Sequence, residues 1–346
     1  MPAVTLHPGN HAFRCHDDET ILTAALRAGL LIPYGCRNGA CGSCKSTLVN
    51  GAIDYGLYQA STLTEAEKRN GQFLPCVAKP LGDITMQARE VRAAGDIAVR
   101  TLPCRIEQLE RVVEDVMIVR LKLPTNQRLA YRAGQYVDLL LPGDKRRSFS
   151  MANPPHDDAL LELHIRHTPG GLFTDRLFGC AEPAIKVRDI LRFEGPHGSF
   201  FLREQSDKPI ILLASGTGFA PIKAIVEHAF YVGIERPMTL YWGGRRPRDL
   251  YLDHLARAWE AKHPGRFRYI PVVSDALPED SWHGRTGFVH RAVMEDWPDL
   301  SGYEVYACGA PIVVESARRE FTSQCGLPEH AFFADSFELA AASGGE

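Results

Sequence analysis

The stretch "CRNGACGSCK", residues 36–45, places three cysteines within nine residues and fills most of the gaps with Gly, Ala, Ser and Asn. The next cysteine is Cys76 in "FLPCVAK", so the pattern reads C-x4-C-x2-C, thirty-one residues, then C. A structural metal, a redox dithiol and a glycine-rich turn with incidental thiols are the competing readings. The chain has nine cysteines, an odd number, and Cys15, Cys104, Cys180, Cys308 and Cys325 are scattered. The N-terminus "MPAVTLHPGN" has neither a basic start nor an apolar segment. In that setting the cysteines point to reduced thiols around a metal or redox site, not to a disulfide framework, and the cytoplasm is the expected compartment.

Zinc sites usually come as two C-x2-C-like pairs, whereas C-x4-C-x2-C with one distant partner is the spacing of a plant-type 2Fe-2S cluster. That nominates Cys36, Cys41, Cys44 and Cys76 as ligands, with zinc as the alternative. Gly35, Gly39, Ala40, Gly42 and Ser43 suit the same chemistry. They let the backbone wrap closely and aim its N–H groups at sulfur.

Outward from this loop, 346 residues are too many for one ordinary core and suggest two or three domains. The composition, 45% hydrophobic and 23% charged with a formal net charge of -3, gives no sign of a nucleic-acid or membrane partner. The first segment, 1–92, mixes short strands with a helix in "DDETILTAALRAGLLIP", which Asp17 or Asp18 can cap and Gly29 can end. Segment 102–204 strings strands together, "CRIEQLERVVEDVMIVRLKLP", "AGQYVDLLLPG", "RRSFSMAN" and "LLELHIRHT", and reads as a small antiparallel barrel or sandwich. Segment 205–340 alternates strand and helix, the signature of a parallel sheet covered by helices. The fold class is therefore multidomain, α+β followed by α/β.

"RRSFSMAN" carries Arg147, Phe149 and Ser150 at the end of a predicted strand, able to supply a phosphate contact, a ring contact and a hydroxyl to a flavin. In "HIRHTPGGLFTDRL", Gly170 and Gly171 precede a helix expected from Leu172. Free N–H groups there, with the Thr174 hydroxyl, suit a pyrophosphate. "EGPHGSF" reads as a tight turn. "LLASGTGFAPIKAI" sets Gly216-x-Gly218 directly after an apolar strand, with Pro221 expected at the first helical position. The third glycine of the usual dinucleotide fingerprint is absent, and the next strand ends in "YWGGRRPRDLY" without an acid for a ribose. Arg245 and Arg246 could meet a 2′-phosphate or be solvated, which leaves NADH against NADPH open. Cys308 in "YACGAP" is a second strand-end candidate, with a buried inert cysteine as its alternative.

In order and spacing, "CRNGACGSC…C", "RSFS", "GTGFAP" and "CGAP" resemble the NAD(P)H-dependent iron–sulfur flavoprotein reductases over essentially the whole chain. The finer motifs are most similar to reductases of the CDP-6-deoxyglucoseen type. Reductase components of phenol and methane monooxygenases and benzoate-type dioxygenases come close behind. The resemblance implies a β-grasp 2Fe-2S ferredoxin domain, an antiparallel β-barrel FAD domain and a parallel α/β NAD(P) domain. It gives Arg147, Phe149 and Ser150 to the flavin, with Tyr136 and Arg166 as additions, and sets Gly170, Gly171 and Thr174 near the FAD pyrophosphate. Gly216, Thr217, Gly218 and Pro221 become the nicotinamide-nucleotide loop, Cys308 and Gly309 lie beside the nicotinamide, and Phe337 or Phe333 is the aromatic against the flavin. Ser150 would orient hydride transfer at the flavin N5, and Cys308 would place the nicotinamide ring.

The implied activity carries electrons from NADH, with NADPH not excluded, through FAD and the 2Fe-2S cluster to a separate protein, a sugar dehydrase or an oxygenase component. Because the ferredoxin segment is near neutral, strong steering of that partner is not expected. Arg37 and Lys45 flank the cluster loop and would favour an acidic rim on it. A redox-sensing module that binds the nucleotide without turnover is the rival from another class.

Overall fold

The structure is a computed structural model that describes residues 1–60, 62–93, 95 and 97–336. The chain forms two compact units, one of residues 1–97 with 198–200 and one of 98–197 with the chain from Phe201 onward.

In the first unit, Ala3–His7 (β1), His11–Arg14 (β2), Ser46–Asn50 (β3), Gln72–Phe73 (β4) and Ile84–Gln87 (β5) make one sheet in the order β2-β1-β5-β3-β4. It is mixed: β1 runs parallel to β5 and antiparallel to β2. The helix Ile21–Arg27 (α1) supplies Ile21, Leu22 and Ala25 to the core under this sheet. Its cap is Thr20, whose hydroxyl accepts from the Thr23 N–H, and not Asp17 or Asp18. Thr20 has the extended backbone a cap needs, and the aspartates lie two and three residues too early. Gly29, at φ +75°, ends the helix as expected. The first N–H groups of α1 have further partners, since Ile21 donates to Ala78 O and Leu22 to Pro75 O. The helix start is thereby tied to the segment that carries Cys76.

The second unit holds two sheets. Arg100–Val113 (β6), Val116–Lys122 (β7), Tyr136–Leu141 (β8), Lys145–Ser150 (β9), Leu161–Arg166 (β10) and Ile190–His197 (β11) pair antiparallel in the order β9-β8-β11-β6-β7-β10. The run read as one strand from Cys104 is a hairpin that turns at Glu114 and Asp115. No glycine or proline marks that turn, so the apolar pattern ran straight through it. On β10, Leu161, Leu163 and Ile165 enter the core. The period-two alternation then puts Glu162, His164 and Arg166 on the other face.

The last sheet is parallel throughout: Ile210–Ser215 (β12), Met238–Gly244 (β13), Phe267–Val273 (β14), Arg285–Thr286 (β15), Glu304–Gly309 (β16) and Phe332–Ser336 (β17), in the order β15-β14-β13-β12-β16-β17. Ile211, Leu213, Tyr241, Val305 and Ala307 pack on one face against Val289–Asp296 (α6) and Pro311–Gln324 (α7). Phe219, the first residue of Phe219–Tyr231 (α4), stacks on Trp242 at 3.9 Å. The reversal of direction from β12, with β13 on one side and β16 on the other, makes its carboxyl end the place where a ligand fits such a sheet. Among the described residues no helix is long and apolar enough to cross a membrane.

Candidate functional site: a thiol cluster and two nucleotide cradles

In the first unit the loop 36–45 wraps as its composition demands. Arg37, Gly39 and Gly42 all have positive φ, and a side chain on Gly39 would meet Tyr58 Cβ at 2.8 Å and Leu57 O at 2.9 Å. The wrapped backbone aims N–H groups at sulfur: Cys36 N at Cys41 Sγ (3.4 Å), and Ala40 N and Cys41 N at Cys36 Sγ (3.4 and 3.3 Å). The thiols form two hydrogen-bonded pairs, Cys36 with Cys41 and Cys44 with Cys76. Cys44 and Cys76 sit in the hydrophobic core, while Cys36 and Cys41 are partly exposed.

The Cys36 thiol, with Ser43, holds Cys41 down to about 5, whereas Cys36 and Cys44 are pushed up by their pair partners and by burial. Four crowded thiols ionise together only when a cation takes them. Among the described residues, the donor group that gathers within 4.8 Å is Asp138, Glu194 and His197, not these thiols. That group already holds a cation, because Arg146 Nη1 lies 2.6 Å from Glu194 and 3.8 Å from Asp138. The sulfurs, paired but not drawn to one point, fit a centre of two irons better than one tetrahedral zinc. Lys45 is not free to greet a partner, since its Nζ lies 2.6 Å from Glu67.

In the second unit the register of β8 and β9 sets Tyr136 opposite Ser150, Val137 opposite Phe149 and Leu139 opposite Arg147. Tyr136 lies tilted on His197 at 5.5 Å, and Phe149 on Phe173 at 5.7 Å. Arg147 Nη1 donates to Arg146 O. Ser150 is buried and, among the described residues, its Oγ has no partner. Arg166 ends β10, where Asp115 from the unforeseen turn holds its Nη1 at 2.7 Å. Its Nη2 is buried without a partner among the described residues, 3.3 Å from where a side chain on Gly216 would begin. A buried hydroxyl and a buried guanidinium N–H left open are costly unless a ligand fills them.

The Gly170–Gly171 turn differs from expectation. The helix Thr174–Leu177 (α3) begins two residues late and spans four residues, too short for a useful dipole. Gly170 N donates to the Asp175 carboxylate and Gly171 N to Thr168 O, while the Thr174 hydroxyl is exchanged with Thr168. A side chain on Gly171 would strike Thr174 Oγ1 at 2.4 Å, so the glycine is required by the turn itself.

At the end of β12, Gly216–Gly218 form one 3-10 turn that runs straight into α4, so Pro221 is the third residue of the helix and not its first. Trp242 donates its indole N–H to Gly216 O at 3.0 Å. A side chain on Gly218 would lie 2.1 Å from Cys308 O, and one on Gly309 2.6 Å from Ser215 Cβ. Two strand ends thus approach as backbone against backbone. Cys308 is fully buried, and burial, with the Asp335 charge second, pushes its thiol far up. It is a neutral filler and not a base. Phe333 packs on Tyr306 at 4.8 Å with the Arg203 guanidinium over it. Phe337 lies outside the described residues.

Sequence reasoning missed the link between these two sheets. His164 Nε2 meets Glu162 Oε1 at 3.0 Å and Nδ1 meets Tyr251 Oη at 2.9 Å. Burial keeps His164 neutral and the Tyr251 phenol protonated. The imidazole therefore donates from Nε2 to the carboxylate and accepts the phenol proton at Nδ1. Tyr251→Phe should cost about 1 kcal/mol by orphaning Nδ1, lowering Tm by about 2–4 °C in a unit of this size, as a calorimetric melt would record. Because His164 has a lowered folded pKa, its contribution is complete above about 6.5 and fades as pH falls below that. The signal available in sequence was the same-face trio of Glu162, His164 and Arg166 in "LELHIR".

Comparison with known proteins agrees with this geometry. Residues 4–81 match the family model for a 2Fe-2S iron-sulfur cluster binding domain, 103–202 that for an oxidoreductase FAD-binding domain and 212–319 that for an oxidoreductase NAD-binding domain. The chain is 41% identical over 334 residues to the CDP-6-deoxy-L-threo-D-glycero-4-hexulose-3-dehydrase reductase of Yersinia pseudotuberculosis serotype I (strain IP32953), covering 96% of this chain and 98% of that one. It is 36% identical to reductase component 1 of terephthalate 1,2-dioxygenase from Comamonas sp, covering 96% of each. The crystal structure of Amycolatopsis cytochrome P450 reductase GcoB superposes with a TM-score of 0.76 at 32% identity, over 99% of this chain and 100% of that one. With a thiol cluster in one unit and two nucleotide cradles in the other, the chain belongs to the family of NAD(P)H-dependent iron–sulfur flavoprotein reductases.

Proposed function

We propose that this reductase draws on NADH and delivers its electrons to a partner protein that is a deoxysugar dehydrase, with an oxygenase component as the second candidate. The arrangement that carries the reading is the set of four thiols, with backbone N–H groups aimed at the sulfurs of Cys36 and Cys41, on the same chain as a flavin sheet and a glycine-lined strand end. The dehydrase stands first because the relative at 41% identity bears that name. When bound, FAD takes two electrons as a hydride and releases them singly, which a 2Fe-2S centre can accept.

The chain's own residues bind and orient. Cys36, Cys41, Cys44 and Cys76 would hold the iron. Ser150 offers its unpartnered hydroxyl to the polar edge of the flavin, Tyr136 and Phe149 line the ring, and Arg147 meets a phosphate. Gly170, Gly171 and Thr174 shape the turn beside it. Arg166, braced by Asp115, presents Nη2 to a phosphate at Gly216, Thr217 and Gly218, with Pro221 stiffening the helix that follows. Cys308 and Gly309 would form the wall for a nicotinamide.

The domains in this reading are 1–92, a β-grasp, then 102–204, a barrel, which the single Met151–Leu163 bridge near its two edge strands supports, then 205–340, in a protein of the cytoplasm. Anaerobic addition of NADH tests the assignment by its visible spectrum. Flavin and cluster bands that bleach together within the mixing time are expected. A colourless zinc protein, or bands that ignore NADH and NADPH alike, would refute it.

A further inference from the structure

The cleft at the carboxyl end of the parallel sheet leaves the choice of nicotinamide nucleotide to the tip of β13. There the adenosine ribose of a dinucleotide ordinarily meets an acid if it carries a 2′-hydroxyl, or an arginine if it carries a 2′-phosphate. This tip has arginines, yet the structure commits the fork of Arg246 elsewhere. Arg246 Nε and Nη2 grip both oxygens of Asp280 at 2.7 and 2.9 Å, with Glu279 at 3.7 Å. The pair is about four-fifths buried, at 22% and 17% exposure. The Leu277 N–H donates to Asp280 Oδ2 at 2.9 Å, so the carboxylate is fixed before any ligand arrives. Asp249 receives the backbone N–H groups of both Arg245 and Arg246. Asp275 is brought alongside by its N–H to Arg245 O at 2.9 Å. Three arginines, Arg245, Arg246 and Arg248, thus share this part of the sheet end with four carboxylates, Asp249, Asp275, Glu279 and Asp280, and the Arg246 guanidinium is gripped by Asp280 through two nitrogens.

We propose that Asp280 sets the preference for NADH over NADPH by holding Arg246 away from the 2′ position of the bound nucleotide. The proposal rests on the nicotinamide-nucleotide reading of the cleft. A 2′-phosphate brings about −1.5 to −2 charges to a rim whose acids already outnumber its arginines, and the best-placed fork is occupied by a bidentate partner. A 2′-hydroxyl meets no such penalty. Arg245, 76% exposed, remains at the tip but stands in water, where a single contact counts for little.

The test compares kcat/KM for NADPH and NADH in flavin reduction, with binding of 2′,5′-ADP against 5′-ADP measured beside it by calorimetry. The native protein should favour NADH and 5′-ADP. Asp280→Asn keeps an oxygen for the Leu277 N–H but releases Arg246, and should raise the NADPH to NADH ratio about tenfold. Adding Arg246→Gln to that variant should return the ratio to its starting value. Arg246→Gln alone should leave the ratio where it was, which covers the case in which Asp280→Asn does not fold. A native preference for NADPH, an unchanged ratio in Asp280→Asn, or lost 2′,5′-ADP binding in Arg246→Gln alone would each overturn the proposal. If neither nucleotide reduces the flavin, the reductase reading has failed, and the two adenosine phosphates still decide whether Asp280 discriminates.

Discussion

Cys76→Ser will leave NADH able to reduce the flavin and will cut electron delivery to cytochrome c about 100-fold or more, the size of effect expected when a metal site loses a member. Cys76 belongs to the first unit, while the flavin sheet and the nucleotide cleft belong to the second. Cys76 is buried in the first unit's core, pairs with Cys44 and sits on a segment that the start of α1 fixes through Ala78 O and Pro75 O. Among the described residues, no further thiol is placed to substitute for it. Cys15 shares the same core, but its sulfur is bonded to Glu19 O at 3.5 Å. Iron analysis should show loss of the centre, and the flavin band should still bleach on mixing with NADH. Equal loss of both activities would contradict the order of carriers. Full retention of cytochrome reduction would take the cluster out of the path altogether, and a protein that keeps its chromophores but ignores both nucleotides would favour a sensor.

How much of this was readable beforehand depended on the range over which each feature is encoded. The cluster ligands were legible because three of the four lie within nine residues, and small residues between them are a local necessity. The parallel sheet was legible for a similar reason: β12, β13 and β16 are buried on both faces and stand out as mostly apolar runs, broken by Thr239 in β13 and by Glu304 at the start of β16. Local signals failed where two candidates competed at short range. Thr20 outbid Asp17 and Asp18 for the cap of α1, and the late start of α3 left Gly170 and Gly171 bonded within their own turn. The Glu114–Asp115 turn was hidden inside an apolar pattern continuous on both sides.

The site partners could not be read at all, because they are brought together only by tertiary structure. Asp115 and Arg166 are 51 residues apart, Arg246 and Asp280 are 34 apart, and His164 and Tyr251 are 87 apart on different sheets. A sequence read by motif finds the arginine and misses the acid that decides what the arginine can do. That is why "GGRR" left the cofactor choice open, while the folded tip of β13 constrains it.

Gly218→Ala will lower the rate of flavin reduction by NADH about 100-fold, the cost of misplacing a bound reactant by an ångström, and dithionite will still reduce both flavin and cluster. The usual account of such a glycine, freedom at positive φ, does not apply, because Gly218 has an ordinary helical φ of -59°. What forbids a methyl group is contact: it would lie 2.1 Å from Cys308 O, 2.4 Å from Cys308 C and 2.7 Å from Gly309 Cα. Those are backbone atoms at the end of β16, a strand paired on both sides with β12 and β17, so they cannot swing aside as a side chain would. The loop must lift instead, and it carries the floor of the cleft with it. Gly216 offers the contrast. It has a positive φ of +54°, but its methyl would meet only the Arg166 guanidinium at 3.3 Å, the movable end of a long side chain. Gly216→Ala should therefore be the milder change, felt as a raised KM as Arg166 is displaced. Stopped-flow absorbance with NADH, run on both variants beside dithionite, reads the difference. A Gly218→Ala protein that reduces its flavin as fast as the Gly216→Ala protein would mean that the meeting of these two strand ends does not position the nicotinamide.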